Sequence, residues 1–239
     1  MDEQKCMINP RLHNPHVPLN NVYKSQTPSS YLILNDFLEK TVITSLVNES
    51  KLITEDAYDR NSDGEYDNHK HSNLKRGVRD INKLPTVMKL VCQYFNSRSF
   101  MKWLRNVTGN PDLVPDDSYH GGGFHHTLPG GHLEVHKDFS YHEGMKMWRK
   151  VNLLIYLNEG WMPNQGGELE IWDKKLKVKH AVVDPSWNRA VIFDVDGTPH
   201  GHPTKTTVDR RSLAFYYYDK NPVSEKTTRA HWREGDKLV

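Results

Sequence analysis

Cysteine is nearly missing from this chain: Cys6 and Cys92 are its only two in 239 residues. Cys6 lies in a polar N-terminal segment and Cys92 in an apolar helical pattern, so neither a disulfide framework nor a thiolate metal site can be drawn from them. Long apolar runs are also lacking. No stretch approaches the ~20 residues that a membrane span requires. The start, Met-Asp-Glu-Gln-Lys, has neither the basic beginning nor the apolar stretch of a secretion signal. A reducing cytoplasm is therefore the expected setting, with no membrane partner. Charge of one sign is equally scarce, because 32 Lys and Arg face 30 Asp and Glu for a net +2. Such a balance carries no electrostatic footprint for nucleic acid. The four lysines between Lys174 and Lys179 read as a solvated strand face.

What is present reads as one domain with a sizeable core, since 36% of the residues are apolar and 26% charged. Residues 1–30, rich in Asn, Pro and His without periodicity, read as an N-terminal arm, extended or disordered. Residues 31–239 then form a single domain: helical support over 31–117, a β core over 118–219 and a C-terminal tail over 220–239. Tyr31 to Leu34 suits a short strand. Asp36 and Glu39 are spaced like a capping box, and Val42, Ile43, Leu46 and Val47 follow at helical spacing. The acidic stretch 55–73 reads as a loop. Val87, Leu90, Val91, Tyr94 and Phe95 fall on one face of a second helix. Phe100, Trp103, Leu104 and Val107 mark a third, stopped by Gly109 and Pro111. These stripes read as core packing. From about residue 118, short β-rich runs separated by Gly, Pro and Asn cover 131–138, 150–158, 167–172, 177–183, 189–194 and 211–218. That spacing predicts a barrel or a two-sheet jelly roll.

Within the β region, Leu-Glu-Val-His-Lys-Asp sets His136 and Asp138 two residues apart. In an extended strand such residues point to one side, so an imidazole and a carboxylate can converge. A second histidine pair, His200 and His202, follows the run Ala190-Val-Ile-Phe-Asp. Two histidines and one carboxylate on one face of an ion leave three positions open, as oxygen chemistry needs. The set favours iron(II), with zinc and manganese as alternatives. Ten residues past His200, alternation puts Arg210, Ser212, Ala214 and Tyr216 on one strand face, and Arg211, Leu213, Phe215 and Tyr217 on the other. An inward arginine suits a dicarboxylate because its planar fork binds a carboxylate through two donors.

His136-x-Asp138, Asn152-Leu-Leu-Ile-Tyr-Leu-Asn158, Gly166-Gly-Glu-Leu169, His200-Gly-His-Pro and Arg210-x-Ser212, in this order, resemble the 2-oxoglutarate/iron(II) oxygenases of the prolyl-4-hydroxylase type. The resemblance covers about residues 118–219, and Phe37-Leu38 beside the first strand fits it as well. It implies a mainly β fold with N-terminal helices, the core being a double-stranded β-helix of the jelly-roll or cupin-like kind. It implies that His136, Asp138 and His200 are the metal ligands and catalytic centre, His200 being preferred to His202. Tyr156 would join Arg210 and Ser212 on the distal carboxylate of 2-oxoglutarate, Leu154 and Leu169 would form an apolar wall, and Tyr216 would face the substrate. Iron(II), 2-oxoglutarate and dioxygen would be consumed or held there, with ascorbate in support. Hydroxylation of an unactivated C–H bond would yield succinate and carbon dioxide.

The other features have plainer readings. His125, His126 and His132 suit surface or hydrogen-bonding roles, with substrate contact as the alternative; Gly121-Gly-Gly123 suits a turn at the rim. Trp148, Trp161, Trp172 and Trp187 read as mostly core, with Trp148 or Trp161 on a lid. Tyrosines that peptide-acting members carry before H-x-D are missing from His125-His-Thr-Leu-Pro-Gly-Gly-His-Leu-Glu-Val. Collagen-type members also have lysine where this chain has Arg210. The expected substrate is a prolyl residue in a peptide or protein; a small molecule such as an amino acid or sugar derivative is the runner-up, and a metal-binding module without turnover the non-enzyme alternative. Oligomeric state is left open, as are the roles of residues 1–30 and 220–239.

Overall fold

Alternating apolar positions in the second half of the chain build two antiparallel sheets. The computed structural model describes residues 6–27, 29–59, 74–196, 198–235 and 237–238. Its strands are β1 (Tyr31–Leu34), β2 (Lys75–Val78), β3 (Val114–Pro115), β4 (Gly123–Thr127), β5 (Leu133–Lys137), β6 (Tyr141–His142) and β7 (Met147–Tyr156). They continue as β8 (Leu169–Trp172), β9 (Lys179–Val183), β10 (Ala190–Asp194), β11 (His200–His202), β12 (Arg210–Asp219), β13 (His231–Glu234) and β14 (Lys237–Leu238). The larger sheet runs β1-β10-β7-β12-β4-β2, with β3 added to β12 and β6 to β7. The smaller runs β14-β13-β5-β11-β8-β9. Together they make the expected jelly roll.

Helices α1 (Leu19–Ser25), α2 (Lys40–Ser50), α3 (Thr86–Phe95) and α4 (Arg98–Thr108) pack on the outer face of the larger sheet. Strand β12 shows how parity divides the molecule. Leu213, Phe215 and Tyr217 point into the helical layer, where Phe215 lies 4.7 Å from the Phe95 ring and the Tyr217 hydroxyl donates to the Phe95 carbonyl at 3.2 Å. Arg210, Ser212 and Tyr216 point the other way, into the space between the sheets. Phe95 also meets Phe100 edge-on at 4.7 Å and Phe37 at 6.0 Å, so one aromatic cluster ties α3, α4 and the chain before α2 to the sheet.

Several sequence expectations change in the folded chain. Residues 6–27 are not an extended arm: a 3-10 turn (Pro10–His13) and α1 anchor Ile8, Leu12 and Tyr23 in the core. The capping box does not form. The backbone turns at Asp36 (φ 49), and α2 starts after Glu39 without a side-chain cap. Asn188 takes over that role, receiving the Leu38 N–H at 2.8 Å and donating to the Leu38 carbonyl at 3.0 Å. On α3 the buried face is Met88, Val91, Cys92, Tyr94 and Phe95, leaving Leu90 46% exposed. The Glu49 carboxylate binds the N–H groups of Val87 and Met88 and helps set that rotation. Trp148, Trp161, Trp172 and Trp187 are all partly exposed, and of the four Trp187 packs against the core. Strands β2, β4, β11 and β13 arise outside the expected β runs, and β13–β14 lie in the C-terminal tail. Of the stretch 55–73, residues 60–73 lie outside the described residues, while Glu55–Ala57 forms a single 3-10 turn. No helix among the described residues is long and apolar enough to cross a membrane.

The aromatic cluster yields a stability contrast. Phe95→Ala is expected to lose about 3–5 kcal/mol, whereas Leu90→Ala should stay within about 0.5 kcal/mol of the parent. Urea denaturation monitored by tryptophan fluorescence measures both; a large loss at Leu90 would place the wrong face of α3 in the core.

Candidate active site

The site begins with a pairing register. Strand β11 lies against β5 with His200 directly opposite His136, and β13 continues the row with Trp232 opposite His136. Opposed residues share a face, so three rings stand in line, His136 being 4.7 Å from both His200 and Trp232. Asp138, just past the end of β5, completes a cluster whose candidate ligand atoms all lie within 4.8 Å of one another. Its carboxylate oxygens are 3.5 Å from His136 Nε2 and 3.4 Å from His200 Nε2. Both imidazoles are oriented by backbone. His136 Nδ1 donates to the Glu134 carbonyl at 2.9 Å and His200 Nδ1 to the Thr198 carbonyl at 3.0 Å. A carbonyl only accepts, so each Nδ1 carries the proton and each Nε2 presents its lone pair inward. Burial pushes the His200 pKa down to about 4 against the pull of Asp138, so this ring is neutral and ready to coordinate near pH 7.

Asp138 is clamped from the larger sheet. Arg149 Nη2 lies 2.9 Å from Oδ2, which also accepts from Asn152 Nδ2 at 2.8 Å, while Arg149 Nε donates to Asn152 Oδ1 at 2.9 Å. Burial opposes ionisation of Asp138, but the Arg149 charge outweighs it and holds the carboxyl well below the usual carboxylate range. The Arg149 guanidinium is 1% exposed and stacks 3.4 Å above the Tyr216 ring. Strand parity would put Arg149 on the opposite face from Asn152. A bulge reverses this: Tyr217 pairs with Val151 but Tyr218 with Arg149, so Lys150 is an extra residue and Arg149 swings inward. Sequence periodicity carries no sign of that bulge, and nothing in the pattern singles out the arginine.

At the other end of the cavity, Arg210 is buried beside Tyr156, its guanidinium carbon 5.1 Å from the ring centre. Arg210 Nε donates to the Gly167 carbonyl at 2.7 Å. The two glycines of Gly-Gly-Glu-Leu make this possible, both having φ +74. A Cβ on Gly167 would stand 3.0 Å from Arg210 Cδ, and one on Gly166 would collide with the Lys205 carbonyl at 2.1 Å. The Tyr156 hydroxyl is buried and has no hydrogen-bond partner among the described residues. With Ser212, whose strand position opposes Tyr156, it leaves a cradle of donors around an arginine fork. Leu154 and Leu169 line the wall between this cradle and the His-Asp-His cluster. Two imidazole nitrogens and a carboxylate fit a divalent ion with open positions, and the cradle of unpaired donors fits a carboxylate.

The enclosed space is about 300 Å³ and is lined from both sheets. All the sequence-selected site residues meet in it or, for Tyr156, stand directly behind it. His202 also reaches the lining, as do Lys75 and His125 from β2 and β4, and Ala230 and Trp232 from the C-terminal segment. Lys75, Ala230 and Trp232 carry no sequence signal, because β2 and β13 lack any alternating apolar pattern. His126 has a hydrogen-bonding role, receiving the Tyr58 hydroxyl at 2.8 Å and donating to Asp209 at 2.7 Å. Arg211 points outward and pairs with Asp209 at 3.2 Å.

Residues 122–218 match the model of the 2OG-Fe(II) oxygenase superfamily. No curated protein matches the sequence. Among solved structures, a Pseudomonas putida prolyl-4-hydroxylase superposes with TM-score 0.59 at 19% identity, over 84% of this chain and 98% of that one. A Trichoplax adhaerens prolyl hydroxylase, in complex with a peptide fragment of the hypoxia inducible factor oxygen degradation domain, gives TM-score 0.62 at 17% identity, over 84% and 89%. HygX from Streptomyces hygroscopicus, with nickel and 2-oxoglutarate bound, gives 0.54 at 14% identity, over 87% of each chain. At these identities the likeness establishes a shared fold.

The Asp138 clamp has a measurable consequence. In metal-free protein, Arg149→Met strands a buried carboxylate and should cost about 3–5 kcal/mol; a divalent ion supplies the missing positive charge, so Mn(II) should stabilise the variant more than the parent. Thermal denaturation with and without Mn(II) tests this, and equal stabilisation of both proteins would count against the clamp. A pH effect follows from His200. With its pKa near 4 in the folded state and about 6.5 in the unfolded chain, the unfolded chain binds more protons between those values, so metal-free protein loses stability as the pH falls through that window. Chelator-treated enzyme unfolded in urea across the same range shows whether it does.

Proposed function

We propose that the chain, whose residues 122–218 match the model of the 2OG-Fe(II) oxygenase superfamily, is an oxygenase of that kind and hydroxylates an unactivated C–H bond, with a prolyl residue of a peptide or protein as substrate. As such a dioxygenase it would use iron(II) and 2-oxoglutarate, as the matched superfamily's description says, and the buried Arg210 beside Tyr156 favours this over a metal-binding module without turnover. The observation that carries the reading is the pairing, in one cavity, of the His136-Asp138-His200 cluster with the Arg210-Tyr156 cradle.

His136 and His200 would bind iron through Nε2, and Asp138 through Oδ1, since Oδ2 is engaged by Arg149 and Asn152. Arg210, Tyr156 and Ser212 would hold the distal carboxylate of 2-oxoglutarate, with Leu154 and Leu169 against its methylenes. The bound metal and co-substrate supply the oxidising power for C–H cleavage. The protein contributes placement and exclusion of water: Arg149 keeps Asp138 ionised, the two backbone carbonyls fix the imidazoles, and the apolar wall would shield the reacting centre. Tyr216, its hydroxyl donated to the Gly121 carbonyl at 2.9 Å, stands where the substrate enters.

The prolyl hydroxylases among the structural neighbours support a peptide substrate. A second reading, a small-molecule substrate, is favoured by the C-terminal segment, which brings Ala230 and Trp232 into the cavity lining and narrows it. HygX, solved with hygromycin B bound, shows the same fold beside such a ligand. Succinate release from iron(II), 2-oxoglutarate and ascorbate, with mass spectrometry of a peptide library and a metabolite extract for a one-oxygen gain, tests the activity and chooses between substrates. His136→Ala and Asp138→Ala should abolish turnover. Arg210→Ala should raise the 2-oxoglutarate requirement by two to three decades, from the loss of about 3–5 kcal/mol, and Arg211→Ala should barely change it. The opposite ranking of the two arginines would overturn the cradle.

A further inference from the structure

Three cations, Lys75, Arg149 and Arg210, line the cavity against one carboxylate, Asp138. Arg149 is paired with Asp138, and Arg210 faces the co-substrate cradle. Lys75 serves neither purpose, and its ammonium makes no hydrogen bond or ion pair with any described residue. Its placement is fixed by the sheet. Lys75 lies opposite Thr127 on β4, and Thr127 opposite Arg210 on β12, so Lys75 and Arg210 project from one face across three strands. Lys75 is half-buried and lines the cavity. Burial and the neighbouring Arg210 charge lower its pKa to about 8, which leaves it mainly protonated near neutrality but poorly compensated.

A second group converges there. His202 is 2% exposed, lines the cavity, and has both ring nitrogens buried with no partner among the described residues. A neutral imidazole always has one N–H to donate, and native structures rarely leave a buried donor without an acceptor. Lys75, Arg210 and His202 all line this one cavity. His125, opposite Ser212 on β12, turns its ring to the same cavity. It lies beside Gly77, where a Cβ would stand 3.3 Å from His125 Cδ2 and 3.1 Å from the Phe124 carbonyl. The balance of charge points the same way. Iron(II) and the 2-oxoglutarate dianion cancel, so the loaded cavity retains the excess of three cations over one carboxylate.

We propose that Lys75 and His202, with the His125 ring in the same cavity, form a second anion subsite that takes a carboxylate of the substrate to be hydroxylated. The distal carboxylate of 2-oxoglutarate is served by Arg210, Tyr156 and Ser212, so a second carboxylate belongs to the other reactant. A free amino acid, or a peptide residue carrying its own carboxylate, has the required chemistry. This rests on the oxygenase reading above and names the class of its substrate.

Calorimetry on the full chain loaded with Mn(II), a redox-inactive stand-in, separates the two. 2-Oxoglutarate is titrated first; failure to bind would defeat the oxygenase reading itself. N-acetyl derivatives of the proteinogenic amino acids, each as free acid and as methylamide, are then titrated into the Mn(II)·2-oxoglutarate complex. At least one acid should bind roughly tenfold or more tightly than its amide. Lys75→Met should erase that preference, Lys75→Arg should restore part of it, and His202→Phe should weaken it. 2-Oxoglutarate should bind Lys75→Met within about threefold of the parent, which also shows that the variant folds. The subsite is overturned if no acid binds, if acids and amides bind alike, or if the preference survives in Lys75→Met. It is overturned equally if Lys75→Met weakens 2-oxoglutarate as much as Arg210→Met does, because the lysine would then be part of the co-substrate clamp.

Discussion

The antiparallel pairing of β5 with β11 places His200 across from His136, and the rest of the site is arranged around that register. A one-residue slip of β11 would turn His200 to the opposite face of the smaller sheet, away from His136. The backbone carbonyls that fix the two ring tautomers belong to the same local geometry, at Glu134 and Thr198. The third ligand candidate is held differently. Asp138 leaves the end of β5 and is gripped by Arg149 and Asn152 from β7, so the cluster spans both sheets. Its geometry therefore depends on how the sheets face each other, which the aromatic packing of Phe95, Phe100, Phe215 and Tyr217 against the helices stabilises from behind.

The cavity is electrically graded. Its metal end offers two imidazoles and a carboxylate whose charge is already balanced by a buried guanidinium. Its far end offers uncompensated positive charge at Arg210 and Lys75. Water-poor surroundings strengthen these fields and make unpaired charges costly, so each end selects a complement: a divalent cation at one, carboxylates at the other. The same burial that lowers the His200 pKa keeps its nitrogen free for a metal. The C-terminal strand closes the arrangement by setting Trp232 over His136, which makes substrate access a property of the tail as well as of the barrel.

Much of this is legible in the sequence because strands impose a period of two. The face made by Arg210, Ser212 and Tyr216 follows from that parity alone, and both faces of β12 appear as read, whereas Asp138 lies just past the end of β5 and is held beside His136 by Arg149 and Asn152. The gaps have specific causes. Arg149 is hidden by a bulge at Lys150 that breaks the parity. The start of α2 departs from the capping-box pattern because Asn188, 150 residues away, replaces the local cap. The N-terminal segment has no apolar period, yet single residues such as Ile8 and Tyr23 bury against surfaces that exist only after the sheet has formed. Leu90 belongs to the apolar stripe of α3 but lies outside the core, since a stripe of five apolar positions does not say which edge of it the core will cover.

By itself, the sequence determined the chemical types available and their local facing: an H-x-D pair on one strand, a histidine pair later, and an arginine with a hydroxyl two residues on. Those relations lie within single strands, where geometry is periodic and short-ranged. Only the tertiary structure decided which of these met, that Arg149 would neutralise Asp138, and that Lys75 and Trp232 would join the cavity. Those relations are between strands far apart in the chain, set by register, by a bulge and by which strands share an edge.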